Sequence, residues 1–257
     1  MKITLITGAT GGLGKEFADL YANDGNALLL VGTSEEKLSA LKSELASKYS
    51  VEIDVYACDL SKEDDVKALF AYTQGKGYFV DRLINNAGFG DRTDFKDMDV
   101  DRQMKMLDVN CKALLYFTRV YLSDMIAKNE GSIINVGSIA GFMSGPYMST
   151  YHATKAFVLS IGEAVAYEIR KTKVRLLTLC PGPFYSGFVD NAGYHYTFKK
   201  LKPITARKVA EVGYKASKKG KRVKIVGFRN AVLTFLPRFV SRKFTTMCTA
   251  KQTKKEQ

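Results

Sequence analysis

A doubly wound α/β fold around a seven-stranded parallel sheet is what this chain of 257 residues predicts, on three observations. Short apolar, β-prone runs alternate with amphipathic stretches of roughly ten residues or more. Several runs are continuously apolar, as in strands buried on both faces of a parallel sheet. The first run leads straight into a glycine-rich turn and then a helix, the opening of a βαβ unit.

Residues 3–7 are the first strand, followed by the turn Thr7-Gly-Ala-Thr-Gly-Gly-Leu-Gly14. A helix with Leu13, Phe17, Leu20 and Tyr21 on one face stops around Asn23-Asp24-Gly25. Residues 27–31 are the second strand; Ser34, with Glu36 and Lys37, opens a helix to about Lys48 with Leu38, Leu41 and Leu45 inward. Residues 51–57 form the third strand, ending at Asp59, and 62–74 the third helix, with Val66, Leu69 and Phe70 inward. The fourth strand, 80–84, runs into Asn85-Asn-Ala-Gly88. Residues 97–128 are a long helical stretch, one helix leading into another near Asn110. Residues 132–136 are the fifth strand, and the loop Gly141 to Gly145 precedes a helix running to about Lys171. The sixth strand, 174–179, ends at Pro181-Gly182-Pro183. Residues 184–203 are polar and aromatic without periodicity; a helix at 205–218 and a short strand at 222–226 complete a single domain.

Beyond it lies an extension, 227–248. Apolar residues at 228, 232, 235, 236, 239 and 240 suit an amphipathic helix, but Pro237 forbids one straight helix. Two short helices are expected, with Pro237 in the first turn of the second. Residues 249–257 are expected to be disordered.

Composition excludes several classes. No apolar run approaches the roughly 20 residues that cross a bilayer. Met1-Lys2 enters the first strand directly, so no signal peptide is expected. Four widely spaced cysteines read as reduced thiols of a cytoplasmic protein, and two histidines make a histidine-based metal site an unpromising expectation. The net charge of +13 is uneven: residues 1–198 carry −3 and residues 199–257 carry +16. Such a basic region could meet an anionic partner, including a membrane surface, or simply be solvated. It lacks any groove-reading motif, so nucleic acid is not an expected partner.

The chemistry centres on Tyr151-His-Ala-Thr-Lys155. On a helix Tyr151 and Lys155 share a face one turn apart. A free phenol titrates near pH 10, and an adjacent ammonium is expected to lower that value. Ser138, at the end of the fifth strand, could donate a hydrogen bond to a substrate oxygen. The Gly8–Gly14 turn lies where a phosphate would sit, at the carboxyl end of a strand and the start of a helix.

These elements resemble the classical short-chain dehydrogenase/reductase family. Thr7-Gly-x-x-x-Gly-x-Gly14, Asp59, Asn85-Asn-Ala-Gly88, Asn110, Ser138, Tyr151-x-x-x-Lys155 and Pro181-Gly182 occur in that family's order and spacing over residues 1 to about 226. The resemblance implies an extended Rossmann fold, a nicotinamide cofactor and no metal. It implies a catalytic set of Asn110, Ser138, Tyr151 and Lys155: Tyr151 as acid or base, Lys155 tuning it and binding the nicotinamide ribose, Ser138 holding the substrate oxygen, Asn110 anchoring a relay water. It also implies cofactor contacts from Gly8, Thr10, Gly12, Leu13, Gly14, Thr33, Ser34, Asp59, Leu60, Asn86, Ala87, Gly88, Pro181, Gly182 and Ser186. Asp59 would bind the adenine amino group, unless it only caps a helix. The end of the second strand, Gly32-Thr33-Ser34, has no acid to repel a 2′-phosphate, which favours NADP over NAD; Thr33 and Ser34 could also merely cap the second helix.

In this family a segment like 184–203 forms a substrate lid. Its aromatics, with Phe184, Tyr185 and Phe188 as expected substrate contacts and Tyr194, His195, Tyr196 and Phe198 beyond, suit a lipophilic or bulky carbonyl, though plain packing is the alternative. The expected function is an NADP-dependent carbonyl reductase or alcohol dehydrogenase acting as a homodimer or homotetramer. A non-catalytic cofactor-binding sensor or scaffold is the other reading. The extension could cover the active-site mouth, join subunits, or lie on an anionic membrane; packing on the body or a second subunit is the plain alternative.

Overall fold

The computed structural model describes residues 1–185 and 203–254. The elements follow the expected alternation: β1 (Lys2–Thr7), α1 (Gly12–Asn23), β2 (Leu28–Gly32), α2 (Glu35–Lys48), β3 (Ile53–Ala57), α3 (Glu63–Gly75) and β4 (Phe79–Asn85). Then come α4 (Val100–Leu107), a π-helical turn (Asp108–Ala113), α5 (Leu114–Ala127), β5 (Ser132–Val136), a 3₁₀ turn (Ile139–Phe142), α6 (Ser149–Glu168) and β6 (Arg175–Cys180). The chain closes with β7 (Phe184–Tyr185), β8 (Ile204–Thr205), α7 (Ala206–Lys218), β9 (Val223–Ile225), α8 (Phe228–Phe235), a 3₁₀ turn (Leu236–Arg238) and α9 (Arg242–Thr253).

Seven strands form one parallel sheet in the order β3-β2-β1-β4-β5-β6-β9. The order reverses between β1 and β4, which opens a crevice at the strands' carboxyl ends. Alternate strand residues feed two cores. Ile6, Leu28, Leu30, Ile134 and Leu179 pack under α1, α2 and α7 with Phe17, Leu38 and Val209. Ile3, Leu5, Leu29, Leu83 and Ile133 pack under α3, α5 and α6 with Leu69, Phe117 and Ala166. This period of two explains the continuously apolar runs, since each face needs its own hydrophobic set.

The helical stretch at 97–128 changes to a π-helical turn over Asp108–Ala113, which contains Asn110. The extra residue in that turn rotates Asn110 inward, where it is buried. Helix α6 ends at Glu168, short of the expected Lys171.

Two expectations for the extension are corrected. Pro237 does not open the second α-helix. It lies in the 3₁₀ turn, because it has no N–H to continue α8. The second helix starts at Arg242, where the Ser241 side chain accepts a hydrogen bond from the Phe244 N–H. Residues 249–253 are also helical rather than disordered. A long-range tie holds them: the buried Arg92 donates from Nε to the Thr253 carbonyl at 2.5 Å and also to the Lys254 carbonyl. A guanidinium at a helix C-terminus satisfies carbonyls that have no partner within the helix.

Arg92 is 4% exposed, so its bonds to α9 are shielded from water. Replacing Arg92 with Ala should free α9. Trypsin should then cut after Lys251 about tenfold faster or more, the loss expected for hydrogen bonds from a charged donor. Unchanged cleavage would mean that other contacts hold the helix.

Candidate active site

The turn after β1 is built around glycine. Gly8 has φ +61°, and a Cβ there would lie 2.9 Å from the Ala87 Cα. A Cβ at Gly14 would lie 2.2 Å from the Gly8 carbonyl oxygen, so the first turn of α1 can pack on the loop only with hydrogen at that position. Asn86 fixes the turn from the side: its Nδ2 donates to the Thr7 and Gly8 carbonyls at 3.0 Å each. The Thr7 hydroxyl accepts from the Asn86 and Ala87 N–H groups at 3.0 Å each, tying the ends of β1 and β4 together. The amino end of α1 therefore faces the crevice with no acidic side chain in its first turn, a suitable seat for a phosphate.

The crevice holds a cavity of about 850 Å³. Gly8, Thr10, Gly12, Leu13, Thr33, Asn86, Ala87 and Gly88 line one end. Ser138, Tyr151, Lys155, Pro181, Gly182 and Phe184 line the rest, so most of the expected cofactor and catalytic positions share one space. Met143, Met148 and Leu233 add apolar wall.

Lys155 is buried and donates to the Val136 carbonyl at 2.8 Å. Its ammonium lies 5.7 Å from the centre of the Tyr151 ring. Burial pushes its pKa down to about 8. Burial likewise pushes the Tyr151 phenol up to about 12, against a hydrogen bond with Ser138 that favours the phenolate. The ring borders the cavity and is partly exposed there, so solvent in the cavity tempers the shift. Burial and a neighbouring ammonium act on a phenol in opposite senses. Ser138 is held in place as its Oγ accepts from the Ala140 N–H at 3.1 Å.

Asn110 lies behind this group. Its Oδ1 accepts from the Phe89 N–H at 3.1 Å, and its Nδ2 donates to the Phe89 carbonyl at 2.9 Å and to the Thr154 hydroxyl at 3.1 Å. It therefore braces the loop after β4 against α6. A Cβ at Gly88 would lie 2.9 Å from Asn110 Oδ1 and 3.6 Å from Lys155 Nζ, so this glycine lets the loop pass close to both. His152 is buried, and its Nδ1 lies 2.8 Å from the Met143 carbonyl; burial lowers its pKa, which keeps it a neutral strut.

Other expected residues do not border the cavity. Gly14 serves the packing described above. The Ser34 side chain caps α2, accepting from the Lys37 N–H at 3.3 Å, while Thr33 does face the cavity. Asp59 accepts from the Ser61 N–H at 3.0 Å and the Ser61 hydroxyl at 2.8 Å, bracing the turn before α3 rather than capping that helix, whose N-cap is Lys62. Leu60 is buried in the core. Tyr185 is 58% exposed. Ser186 and Phe188, with most of the expected lid (residues 186–202), lie outside the described residues.

Residues from the extension also reach the site, and the motifs do not reveal them. Arg229, Asn230 and Leu233 of α8 and Thr249, Gln252 and Thr253 of α9 all line the cavity. Asn230 covers the Pro181-Gly182 segment so closely that a Cβ on Gly182 would lie 2.3 Å from its Nδ2. The expectation that the extension could cover the active-site mouth named no residue that would do so.

Comparison with known proteins gives this geometry a context. The short chain dehydrogenase family model matches residues 2–197. The chain belongs to that family. It is 32% identical over 192 residues to a 3-oxoacyl-[acyl-carrier-protein] reductase of Rickettsia prowazekii, covering 74% of this chain and 75% of that protein. The fold superimposes on a solved 7β-hydroxysteroid dehydrogenase with a TM-score of 0.86 and 26% identity, covering 96% of each chain. A short chain dehydrogenase/reductase from Burkholderia phymatum, solved with NAD, gives a TM-score of 0.82 at 25% identity over 92% of each chain. This short-chain dehydrogenase/reductase is therefore an NAD(P)-dependent oxidoreductase with the family's Rossmann-like sheet.

Proposed function

We propose that this short-chain dehydrogenase is an NADP-dependent reductase of bulky, lipophilic carbonyl compounds, or the reverse alcohol dehydrogenase, with Tyr151 as its acid/base. The observation that carries the reading is the sharing of one cavity by Ser138, Tyr151 and Lys155 with the glycine turn after β1. The residues fit a dinucleotide. Gly8, Gly12 and Gly88 line one end of the cavity with bare backbone, and α1 presents its N–H groups there. Bound nicotinamide would supply the hydride.

The protein's own groups do the rest. Ser138 and Tyr151 hold the substrate oxygen between two hydroxyls, and the Tyr151 hydroxyl gives it a proton. The Lys155 ammonium stabilises the phenolate that remains and can bind ribose hydroxyls. Asn110 positions Lys155 through the Phe89 loop and Thr154, and anchors a relay water. Ala87 and Pro181 line the cavity and would flank a bound cofactor. Phe184, in the cavity wall, would pack on the substrate and help exclude water.

Cofactor preference rests on Thr33 and Ser34. No carboxylate stands at the end of β2, and Thr33 faces the cavity. A carboxylate there would repel a 2′-phosphate, whereas the Thr33 hydroxyl can donate to it. NADPH should therefore raise the melting temperature more than NADH at equal concentration. At one hundred times its Kd, a ligand adds about 2.7 kcal/mol of stability. Equal shifts, or a larger one with NADH, would reverse the assignment.

A bulky apolar substrate is supported by the cavity volume of about 850 Å³ and by Met143, Met148, Phe184 and Leu233 in its wall. A homodimer or homotetramer is supported by exposed apolar side chains on α5 and α6: Leu115, Ile126, Phe157 and Tyr167. Four free cysteines suit a cytoplasmic location, with no disulfide to maintain.

A further inference from the structure

The extension is amphipathic in the wrong sense for a helix that only packs on its own domain. On α8 and the turn after it, Phe228, Val232, Phe235, Leu236 and Phe239 recur at helical spacing and form one stripe. That stripe faces outward: Phe228 is 85% exposed and Phe239 is 71% exposed. The side turned to the protein is polar, with Thr234 buried and Asn230 hydrogen-bonded to the Val226 carbonyl. Helix α9 repeats the inversion. Phe244 and Met247 are exposed, while Thr249 and Thr253 are buried. Phe235 and Phe239 stack edge to face with ring centroids 5.1 Å apart, leaving a continuous aromatic surface.

The charge of the same segment decides what could cover it. Residues 228–254 contain six Lys or Arg and no Asp or Glu. Two copies meeting through this face about a two-fold axis would set six cations against six, with no acid from the segment to separate them. An anionic bilayer surface complements both properties. Its acyl boundary accepts phenylalanine, leucine and methionine side chains, and its headgroups pair with the surrounding cations. No described helix is long and apolar enough to cross a membrane, so the contact would lie in the interfacial plane.

We propose that α8, the turn after it and α9 form a docking surface for an anionic lipid membrane. Leu233 and Arg229 lie on α8 and also line the cavity, so docking would set the cavity mouth beside the bilayer. A lipophilic compound could then enter from the acyl boundary. The docking itself does not depend on the proposed reaction.

The test is vesicle flotation of the full chain with phosphatidylcholine alone and with a phosphatidylcholine/phosphatidylglycerol mixture. The mixed vesicles should carry about tenfold more protein, and added salt should reduce this. The double variant Phe235→Glu/Phe239→Glu should lose about tenfold or more of the bound fraction, with an unchanged melting temperature and NADPH affinity. The charge variant Arg242→Gln/Lys243→Gln leaves every aromatic side chain of the stripe in place, and should lose about fivefold for each charge removed. The proposal is overturned if the wild-type chain does not float with the mixed vesicles, or if both variants float as it does. It is also overturned if light scattering shows a dimer that Phe239→Glu dissociates while the wild type ignores lipid, since a second copy would then cover the surface.

Discussion

Replacing Tyr151 with Phe should lower carbonyl reduction by about a thousandfold or more while leaving NADPH affinity unchanged. The ring would still fill its place on α6, and only the hydroxyl would be lost. Ser138, held by the Ala140 N–H, could still polarise the substrate oxygen. The pH dependence follows from two groups. Burial pushes the Tyr151 phenol up to about 12, so the proton for reduction should be present at pH 7. Lys155, pushed by burial down to about 8, loses its charge as pH rises through that value. Reduction should therefore decline on the alkaline side of pH 8, and the variant should retain no such profile. Steady-state rates and NADPH titrations of both proteins check this. Equal turnover in the variant would remove Tyr151 from the mechanism.

The second large effect is structural. Gly14→Ala should destabilise the protein by about 3 kcal/mol, the upper end of overpacking costs. The added carbon would lie 2.2 Å from the Gly8 oxygen and 2.9 Å from the Ala9 Cα, both backbone atoms, and 2.9 Å from Asn86 Nδ2. None of these can move without opening the turn that Asn86 clamps. The better helix propensity of alanine recovers at most about 1 kcal/mol. For a domain of this size the melting temperature should fall by about 6–12 °C. NADPH should also bind more weakly, because the cradle shifts with the turn. A control at Gly25, where a Cβ meets nothing within 4 Å, should disturb the cradle little, although its φ of +77° adds local strain. A thermal melt with no loss for Gly14→Ala would show that the turn relaxes freely.

The two predictions mark what was readable in the chain. The sheet could be read because each strand serves two cores, and that demand writes continuous apolar runs into the sequence. Gly8, Ser138, Tyr151 and Lys155 could be placed because local geometry imposes their spacing: a tight turn, a strand end, one helical turn. Long-range packing leaves no such trace. Nothing around Arg92 announces that its guanidinium closes the end of a helix more than 150 residues away. Asn230 over Gly182 is likewise a contact between distant segments. The apolar stripe from Phe228 to Phe239 was visible, but periodicity gives a helix's faces and not the direction each one points. The same limit applies to acidity. Spacing puts Lys155 beside Tyr151, whereas their titration depends on how much protein surrounds both.

Transfer of the label from NADPH deuterated at nicotinamide C4 tests the central claim most directly. The purified chain would be incubated with this cofactor and a panel of bulky ketones, and the alcohols analysed by mass spectrometry. One deuterium on the carbinol carbon is the expected result, with none from the Tyr151→Phe variant. NADPH that remains unoxidised across the panel, although a melting shift shows it bound, would contradict the assignment as a reductase of bulky carbonyls.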